Sequence, residues 1–447
     1  MNSSTEKSIL QRSLNGLAGQ GLWTAAGTVT SSAIGLAQVV IVTRLLGVET
    51  FGQIALIMAV TLTVRQVVGV RVWEWAMREF SGAYVRRDAA AGGTVIRTGF
   101  ALSIGVNLVS FLIVLGVSRF SAQNFLHAEN LTVWIAIYGM SLLVSWIPDT
   151  AYGVMRVSER FRFLAVQSVV LSLLRFSILS GAAWFRPTVG SAVVAYLAVE
   201  SLSAAWMLAS TGRIFRKDFG ISWWQASRSR RLLFDRSMRK LLLIGSLTDL
   251  LKIAGGRADL LVLGWFSPPS DVGLYRAAWN LVEIFDRLSS PLSMIVFSRL
   301  AKLATLKARS EYLALLRNIS LGAAALVIPG CLSLFFLAPW LVATLYGPSY
   351  APATRIVQTV AWCPLWLVGI WMQPNSVSVG RAEWGLKLVT GVTIWKLALL
   401  AAFVPTLGAQ GLASANLLYN LAIPLFLPWM YVQTKKLTKL WVAIPTE

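Results

Sequence analysis

Twelve apolar stretches limit what this chain can fold into more than any other feature of its sequence. Each has about 20 residues, the length that an α-helix needs to cross the hydrocarbon core of a bilayer. Hydrophobic residues make up 56% of the chain and the mean hydropathy is +0.66, well above ordinary soluble domains. The sequence therefore predicts an all-α, polytopic membrane protein. The predicted spans are 18–43, 51–72, 96–118, 131–153, 163–184, 190–211, 241–264, 272–297, 316–338, 355–377, 386–404 and 409–432.

Few residues are available for metal or redox chemistry. Cys331 and Cys363 both lie in apolar stretches, and His127 has no Cys, Asp or Glu at ligand spacing. We therefore expect no disulfide framework, no metal site and no bound cofactor. The first apolar run is too long for the core of a signal peptide, and it is interpreted as the first retained span.

The net charge of +21 does not indicate a nucleic-acid partner, because the basic residues lie in connections between spans and not on one compact domain. Every second connection between spans is rich in Lys and Arg, and short loops rich in these residues stay on the cytoplasmic side. Both termini are therefore predicted to be cytoplasmic, which requires an even number of spans. Examples of the basic set are Lys7, Arg12, Arg78, Arg156, Arg299, Lys302, Arg381 and Lys435.

The longest connection, residues 213–240, carries nine basic and two acidic residues and divides the chain near its middle. It predicts an N-terminal six-helix bundle over 1–212, a basic cytoplasmic linker over 213–240 and a C-terminal six-helix bundle over 241–447. Trp223 and Trp224 beside the arginines allow the linker to lie along an anionic membrane surface. A solvated linker is the alternative.

Repeated motifs indicate that the two halves are related and share one orientation in the membrane. "RPTVGSA" reappears as "VPTLGAQ", and "RLLGVETFG" is echoed by the longer "LVLGWFSPPSDVG". The paired positions are Pro187 with Pro405, Gly190 with Gly408, Gly47 with Gly264, Gly52 with Gly273, and Pro148 with Pro374.

Three segments carry a resemblance to a known family: "TRLLGVETFGQIALIMAV", "DLLVLGWFSPPSDVGLYRAAWNLVE" with "FSRLAKL", and "LGAQGLASANLLYNL". They resemble the oligosaccharide flippases of bacterial polysaccharide biosynthesis, in the multidrug/oligosaccharidyl-lipid/polysaccharide exporter superfamily. The resemblance implies two six-helix bundles around a central cavity with alternating access, in the bacterial inner membrane. It implies an undecaprenyl-diphosphate-linked glycan as cargo, moved to the outer leaflet for O-antigen, exopolysaccharide or capsule. Membrane lipids and the polysaccharide polymerase machinery are the further partners that the resemblance implies.

Ionisable residues inside the spans are the strongest pointers to a site, because each costs about 2.5–3.5 kcal/mol at the centre of a bilayer. Spacing places Asp249, Lys252 and Asp259 on one face of the seventh span, and Gly255–Gly256 would let Arg257 bend round. The eighth span carries a stripe at steps of four, three and four residues. The stripe consists of Arg276, Asn280, Glu283 and Arg287, and further candidates are Arg65, Glu200, and Arg175 with Lys396, which are 221 residues apart.

A lipid diphosphate needs charge-assisted hydrogen bonds in place of its hydration, and Arg or Lys supply them. The predicted cavity cations are Arg65, Arg175, Lys252, Arg257, Arg276, Arg287 and Lys396. Tyr275, Trp279, Asn280 and Trp395 are the predicted glycan contacts. Internal ion pairing is the alternative for the charged residues, and packing or interface anchoring is the alternative for the aromatic residues.

The sequence is compatible with transport driven by the membrane potential or by an ion. The membrane potential favours export of a doubly negative headgroup. Asp249, Asp259, Glu200 and Glu283 are alternative sites for an inward-moving proton or sodium ion.

Three other functions fit the sequence less well than an oligosaccharide flippase. A multidrug/cation antiporter would favour negative cavity walls, whereas the predicted lining is rich in cations. A peptidoglycan-precursor flippase is closer in mechanism to an oligosaccharide flippase. The resemblance argues against it, because such flippases have extra terminal helices and this sequence predicts twelve spans. A glycan polymerase or acyltransferase would need a catalytic cluster, and the sequence carries no nucleophile elbow, metal motif or phosphate-binding loop. The chain is therefore not expected to be an enzyme.

Overall fold

The computed structural model describes residues 3–69, 72–227 and 259–441, with the side chains of 3–22 left out. The regular secondary structure of these residues is all helical and includes no strand. The first seven helices are α1 (Ser3–Val68), α2 (Val72–Val85), α3 (Ala89–Asn124), α4 (Thr132–Gly139), α5 (Trp146–Val157), α6 (Phe161–Phe185) and α7 (Val189–Phe219). The next seven are α8 (Asp259–Phe266), α9 (Pro269–Thr305), α10 (Arg309–Leu341), α11 (Ala353–Val360), α12 (Met372–Ser378), α13 (Ala382–Leu425) and α14 (Leu427–Leu437).

The described residues confirm the predicted membrane fold. Eight helices are long and apolar enough to cross a bilayer. Two of them hold two predicted spans each, because α1 breaks at Gly47 (φ 76°) and α13 at Gly408 (φ 52°). Only glycine adopts such angles at little cost, so these breaks coincide with the predicted connections. Most of the seventh predicted span lies outside the described residues.

The fourth and tenth spans are broken, although the sequence predicted each as one continuous helix. A 3₁₀ segment, Met140–Leu143, separates α4 from α5, and another, Cys363–Gly369, separates α11 from α12. Pro148 and Pro374, the repeat-related prolines, lie in the helices that follow these segments. Proline removes a backbone donor and crowds the preceding turn, which favours an interrupted helix.

The connection after the second span forms a helix that the sequence did not predict. In α2, Trp75 and Phe80 are buried and pack with Phe215 of α7. Helix α7 itself continues through Phe219 into the segment predicted as linker, and it ends where Gly220 adopts a left-handed conformation. Arg97 of α3 then donates to four carbonyls of residues 223–227, so the start of that segment is held against α3.

The chain divides into two compact units. Unit 1 comprises Met1–Gln38 and Gln53–Ile253, and unit 2 comprises Val39–Gly52 and Ala254–Glu447. The short stretch Val39–Gly52 packs with unit 2 through named contacts. Arg44 donates through Nε to the Leu345 carbonyl at 2.7 Å, and the hydroxyl of Tyr350 lies 3.5 Å from the Thr43 carbonyl.

Two repeat-related glycines meet inside unit 2. A Cβ atom at Gly52 would lie 1.7 Å from the carbonyl oxygen of Pro269 and 2.9 Å from the amide nitrogen of Gly273. A Cβ atom at Gly273 would lie 2.2 Å from the Val48 carbonyl oxygen. The backbones at the starts of the second and eighth spans therefore approach more closely than any side chain allows.

Alanine at Gly52 is expected to destabilise the protein by about 1–3 kcal/mol or more, because its methyl group overpacks a backbone contact. The change is measured as a lower midpoint of thermal unfolding in detergent. Gly105→Ala is the matched control, since no described atom lies within 4 Å of a Cβ there. Equal midpoints for Gly52→Ala and Gly105→Ala would contradict the close approach.

Candidate functional site

Arg65 joins the second span to the broken fourth span in unit 1. Its Nη2 donates to both carboxylate oxygens of Asp149 at 3.2 Å and lies 3.4 Å from the Ser145 carbonyl. The two side chains are 30% and 33% exposed. The guanidinium is therefore paired, yet part of its surface remains open to a ligand.

A second pair in unit 1 links the fifth and sixth spans. Arg175 of α6 donates to Glu200 of α7 at 3.0 Å, and the side chains are 43% and 34% exposed. This pair contains one predicted cavity cation and one predicted ion-coupling carboxylate. Cargo binding by Arg175 and ion coupling by Glu200 both stay predictions.

The stripe on α9 brings two arginines to one carboxylate in unit 2. Arg276 contacts Glu283 at 3.4 Å and Arg287 contacts the other oxygen of Glu283 at 3.3 Å. The two arginines are 34% and 45% exposed. One negative charge therefore balances two positive ones, and the cluster keeps a net positive charge.

Lys396 is placed differently from the arginines. Its ammonium group lies 2.8 Å from Oδ2 of Asp259 in α8, and the two side chains are only 3% and 10% exposed. Asn416 donates to the same Asp259 oxygen at 3.0 Å, and the Tyr419 ring lies 4.8 Å from the ammonium. A buried charge of either sign needs such a partner. In this conformation the Lys396 side chain is too buried to contact a phosphate.

The predicted glycan contacts also differ in their accessibility. Tyr275 is buried and its hydroxyl accepts a hydrogen bond from Asn416 at 2.9 Å. Trp279 stacks on Tyr275 with ring centroids 5.9 Å apart, while Trp395 is exposed. The amide nitrogen of Asn280 is buried without a hydrogen-bond partner among the described residues. Contact with a glycan stays a prediction for all four.

Three predicted site residues, Asp249, Lys252 and Arg257, lie outside the described residues, as does the proposed bend at Gly255–Gly256. In the parts of the chain that are described, no three His, Cys, Asp or Glu side chains are grouped to hold a metal ion.

The structure brings two carboxylates into this system that the sequence did not predict. Asp149 is the partner of Arg65, and Asp286 accepts a hydrogen bond from Trp366 at 3.1 Å. Both are acidic residues inside predicted spans, which is the signal that identified the other candidates. Asn416 was also missed, because an amide in an apolar helix gives a weaker signal than a charge.

This helical fold matches solved membrane transporters over nearly its whole length. It is similar to an inward-facing multidrug resistance MATE family transporter of the MOP superfamily, with 16% identity and a TM-score of 0.66 over 95% of this chain and 96% of that one. It is also similar to the lipid II flippase MurJ in an inward closed conformation, with 14% identity and a TM-score of 0.70 over 95% and 94%. A MOP superfamily transporter from Pyrococcus furiosus gives 15% identity and 0.65 over 94% and 96%. The fold is therefore that of the MOP superfamily transporters.

The sequence itself identifies the family. The profile of the polysaccharide biosynthesis protein family matches residues 17–304, and the chain belongs to that family. The chain is therefore a polytopic membrane protein of the polysaccharide biosynthesis family with the fold of solved MOP superfamily transporters. No curated protein matches the chain in a sequence comparison.

Replacing Lys396 by Met is expected to destabilise the protein by about 3–5 kcal/mol, because it leaves the Asp259 carboxylate buried and unpaired. Thermal unfolding in detergent measures the loss. The double variant Lys396→Met with Asp259→Asn should recover much of it, since the unpaired charge is gone. Lys387→Met is the matched control, because Lys387 lies exposed on the same helix. A single variant as stable as this control would contradict the buried pair.

Proposed function

We propose that the protein is an alternating-access flippase that moves a polyprenyl-diphosphate-linked oligosaccharide from the inner to the outer leaflet. Undecaprenyl diphosphate is the proposed lipid carrier. The proposed location is the bacterial inner membrane with both termini cytoplasmic, beside the polymerase that consumes the cargo. The protein performs no chemistry on the cargo.

The arginine cluster on α9 carries this proposal. Arg276 and Arg287 share Glu283 and are partly exposed, so their remaining N–H groups are free to donate to phosphate oxygens. Arginine suits a diphosphate because its planar group donates two hydrogen bonds in parallel. The net positive charge favours an anionic headgroup over the organic cation of a drug antiporter.

The family and the fold support the class of cargo. The family is named for polysaccharide biosynthesis, and one structure of the same fold is a lipid II flippase. Lipid II flippases handle a lipid-linked precursor, which supports a lipid-linked glycan for this chain as well. The partly exposed pairs of unit 1, at Arg65 and Arg175, add donors for the same headgroup.

Membrane potential is the proposed source of energy. A diphosphate diester carries two negative charges, and its export from a negative interior gains about 2.3 kcal/mol per charge per 100 mV. The buried carboxylate of Asp259 already holds the ammonium of Lys396. This resident cation occupies the place that an inorganic ion would take, which supports a source of energy other than sodium binding at Asp259.

Replacing Arg276 and Arg287 together by Gln is expected to slow flipping by at least about tenfold, because each charge-assisted hydrogen bond contributes about 1.5–3 kcal/mol. The measurement is the initial rate at which proteoliposomes move an undecaprenyl-diphosphate-linked disaccharide between leaflets. Arg299→Gln is the matched control, because Arg299 is an exposed arginine on the same helix. Unchanged flipping by the double variant would refute the role of the cluster.

The energy proposal is tested in the same proteoliposomes with an imposed potential. A potential negative on the loading side should accelerate transfer to the opposite leaflet, since about 2.3 kcal/mol per charge per 100 mV favours it. Sodium and pH gradients imposed without a potential should leave the rate unchanged. A rate that follows either gradient and ignores the potential would favour ion coupling.

A further inference from the structure

A cleft in unit 2 lies between α9 and the broken tenth span. Its volume is about 640 Å³, within the range of roughly 300–1,000 Å³ that small-molecule sites occupy. No candidate from the sequence lies in it. Its lining includes Asp286, Ser293 and Phe297 of α9, together with Trp366, Gln373 and Val377 of the broken span.

Asp286 of the cleft lies near the middle of the predicted eighth span, 272–297, in the helix α9. Placing a carboxylate inside a span costs free energy, and such residues usually face a water-filled or ligand-binding space. The spacing of Asp286, Ser293 and Phe297 puts them on one face of α9, about a quarter turn from the arginine cluster.

The polar groups of the cleft keep hydrogen-bonding capacity for a ligand. Trp366 donates to one oxygen of Asp286 at 3.1 Å, and the second oxygen accepts no hydrogen bond from the described residues. Gln373 is exposed, and neither its amide group nor the Ser293 hydroxyl is bonded within the described part of the chain. A carboxylate oxygen, an amide and a hydroxyl therefore offer both acceptors and donors.

Two aromatic rings complete the cleft. Trp366 lines it together with Phe297, which is 42% exposed. No Lys or Arg is among the described lining residues, in contrast to the arginine cluster on the neighbouring face. Flat apolar faces combined with hydrogen-bond donors and acceptors match the alternating C–H faces and hydroxyl groups of a sugar ring.

The repeat relation shows that this place in the fold has a counterpart in unit 1. Asp286 follows Arg65 by 221 residues, the spacing that also separates Gly52 from Gly273. Arg65 contacts the broken fourth span at Asp149, and Asp286 contacts the broken tenth span at Trp366. Interrupted helices of this kind hold the binding sites of many repeat-built transporters. Arg65 and Asp286 differ in charge, so the first suits the anionic headgroup of the proposed cargo and the second suits its sugar hydroxyl groups.

We propose that the cleft is a glycan subsite that binds one neutral pyranose ring of the lipid-linked cargo. The hydroxyl groups of the sugar donate to Asp286 and bond to Gln373 and Ser293, and its C–H face packs on Trp366 or Phe297. This assignment rests on the proposed function, in which the arginines of α9 hold the diphosphate.

The experiment separates the sugar from the headgroup with two soluble probes of equal charge. One is farnesyl diphosphate bearing a single N-acetylglucosamine, and the other is its methyl diester, which lacks the sugar. Calorimetry measures both dissociation constants for the full chain in phospholipid nanodiscs. The wild type should bind the sugar-bearing probe about tenfold more tightly than the methyl diester.

Gln373→Ala and Asp286→Asn should each reduce this preference to less than about threefold and leave the affinity for the methyl diester unchanged. Gln373 is exposed, so its variant is expected to fold normally. Trp340→Ala, which removes an exposed indole from α10, should keep the full preference.

Two outcomes would overturn the glycan subsite alone: equal binding of the two probes by the wild type, or a preference that survives in both cleft variants. Binding of neither probe would overturn the proposed function itself, and the subsite with it.

Discussion

The predicted cations that the structure describes inside apolar helices are compensated by carboxylates, and that constraint arranges the polar residues around them. Each predicted cation that can be described contacts a carboxylate: Arg65, Arg175, Arg276, Arg287 and Lys396. Moving an ion into a low-dielectric interior costs several kcal/mol, which an opposite charge only partly offsets. The partners are therefore as much a part of the site as the cations are.

Pairing takes two forms, and exposure separates them. Lys396 and Asp259 are buried within a network that includes Asn416 and Tyr419. Such a network holds α8 and α13 in one register and leaves little for a ligand to contact. The arginine pairs are about one-third exposed, so they retain donors. A flat guanidinium can serve a carboxylate along one edge and a phosphate along another, whereas an ammonium is a point charge.

Some features of the structure could be predicted from the sequence, because they depend only on the spacing of nearby residues. The steps from Arg276 to Glu283 and Arg287 predict one helical face, and the glycine motifs at Gly47 and Gly408 predict the helix breaks. Partners from distant helices were beyond its reach, since nothing local links Lys396 to Asp259, 137 residues away. The breaks in the fourth and tenth spans were not predicted either, because an apolar run has the same composition whether its turns are α-helical or 3₁₀.

Internal repetition explains why the two units carry similar frameworks with different chemistry. Two features are shared: a 3₁₀ interruption before Pro148 and Pro374, and a polar side chain that contacts the interrupted span. The side chain is Arg65 in unit 1 and Asp286 in unit 2. A duplicated frame thus supplies two interrupted helices, and one substitution decides whether the side chain beside each is positively or negatively charged. The proposed cargo, with an anionic headgroup and a neutral glycan, needs that asymmetry, which two identical halves would not provide.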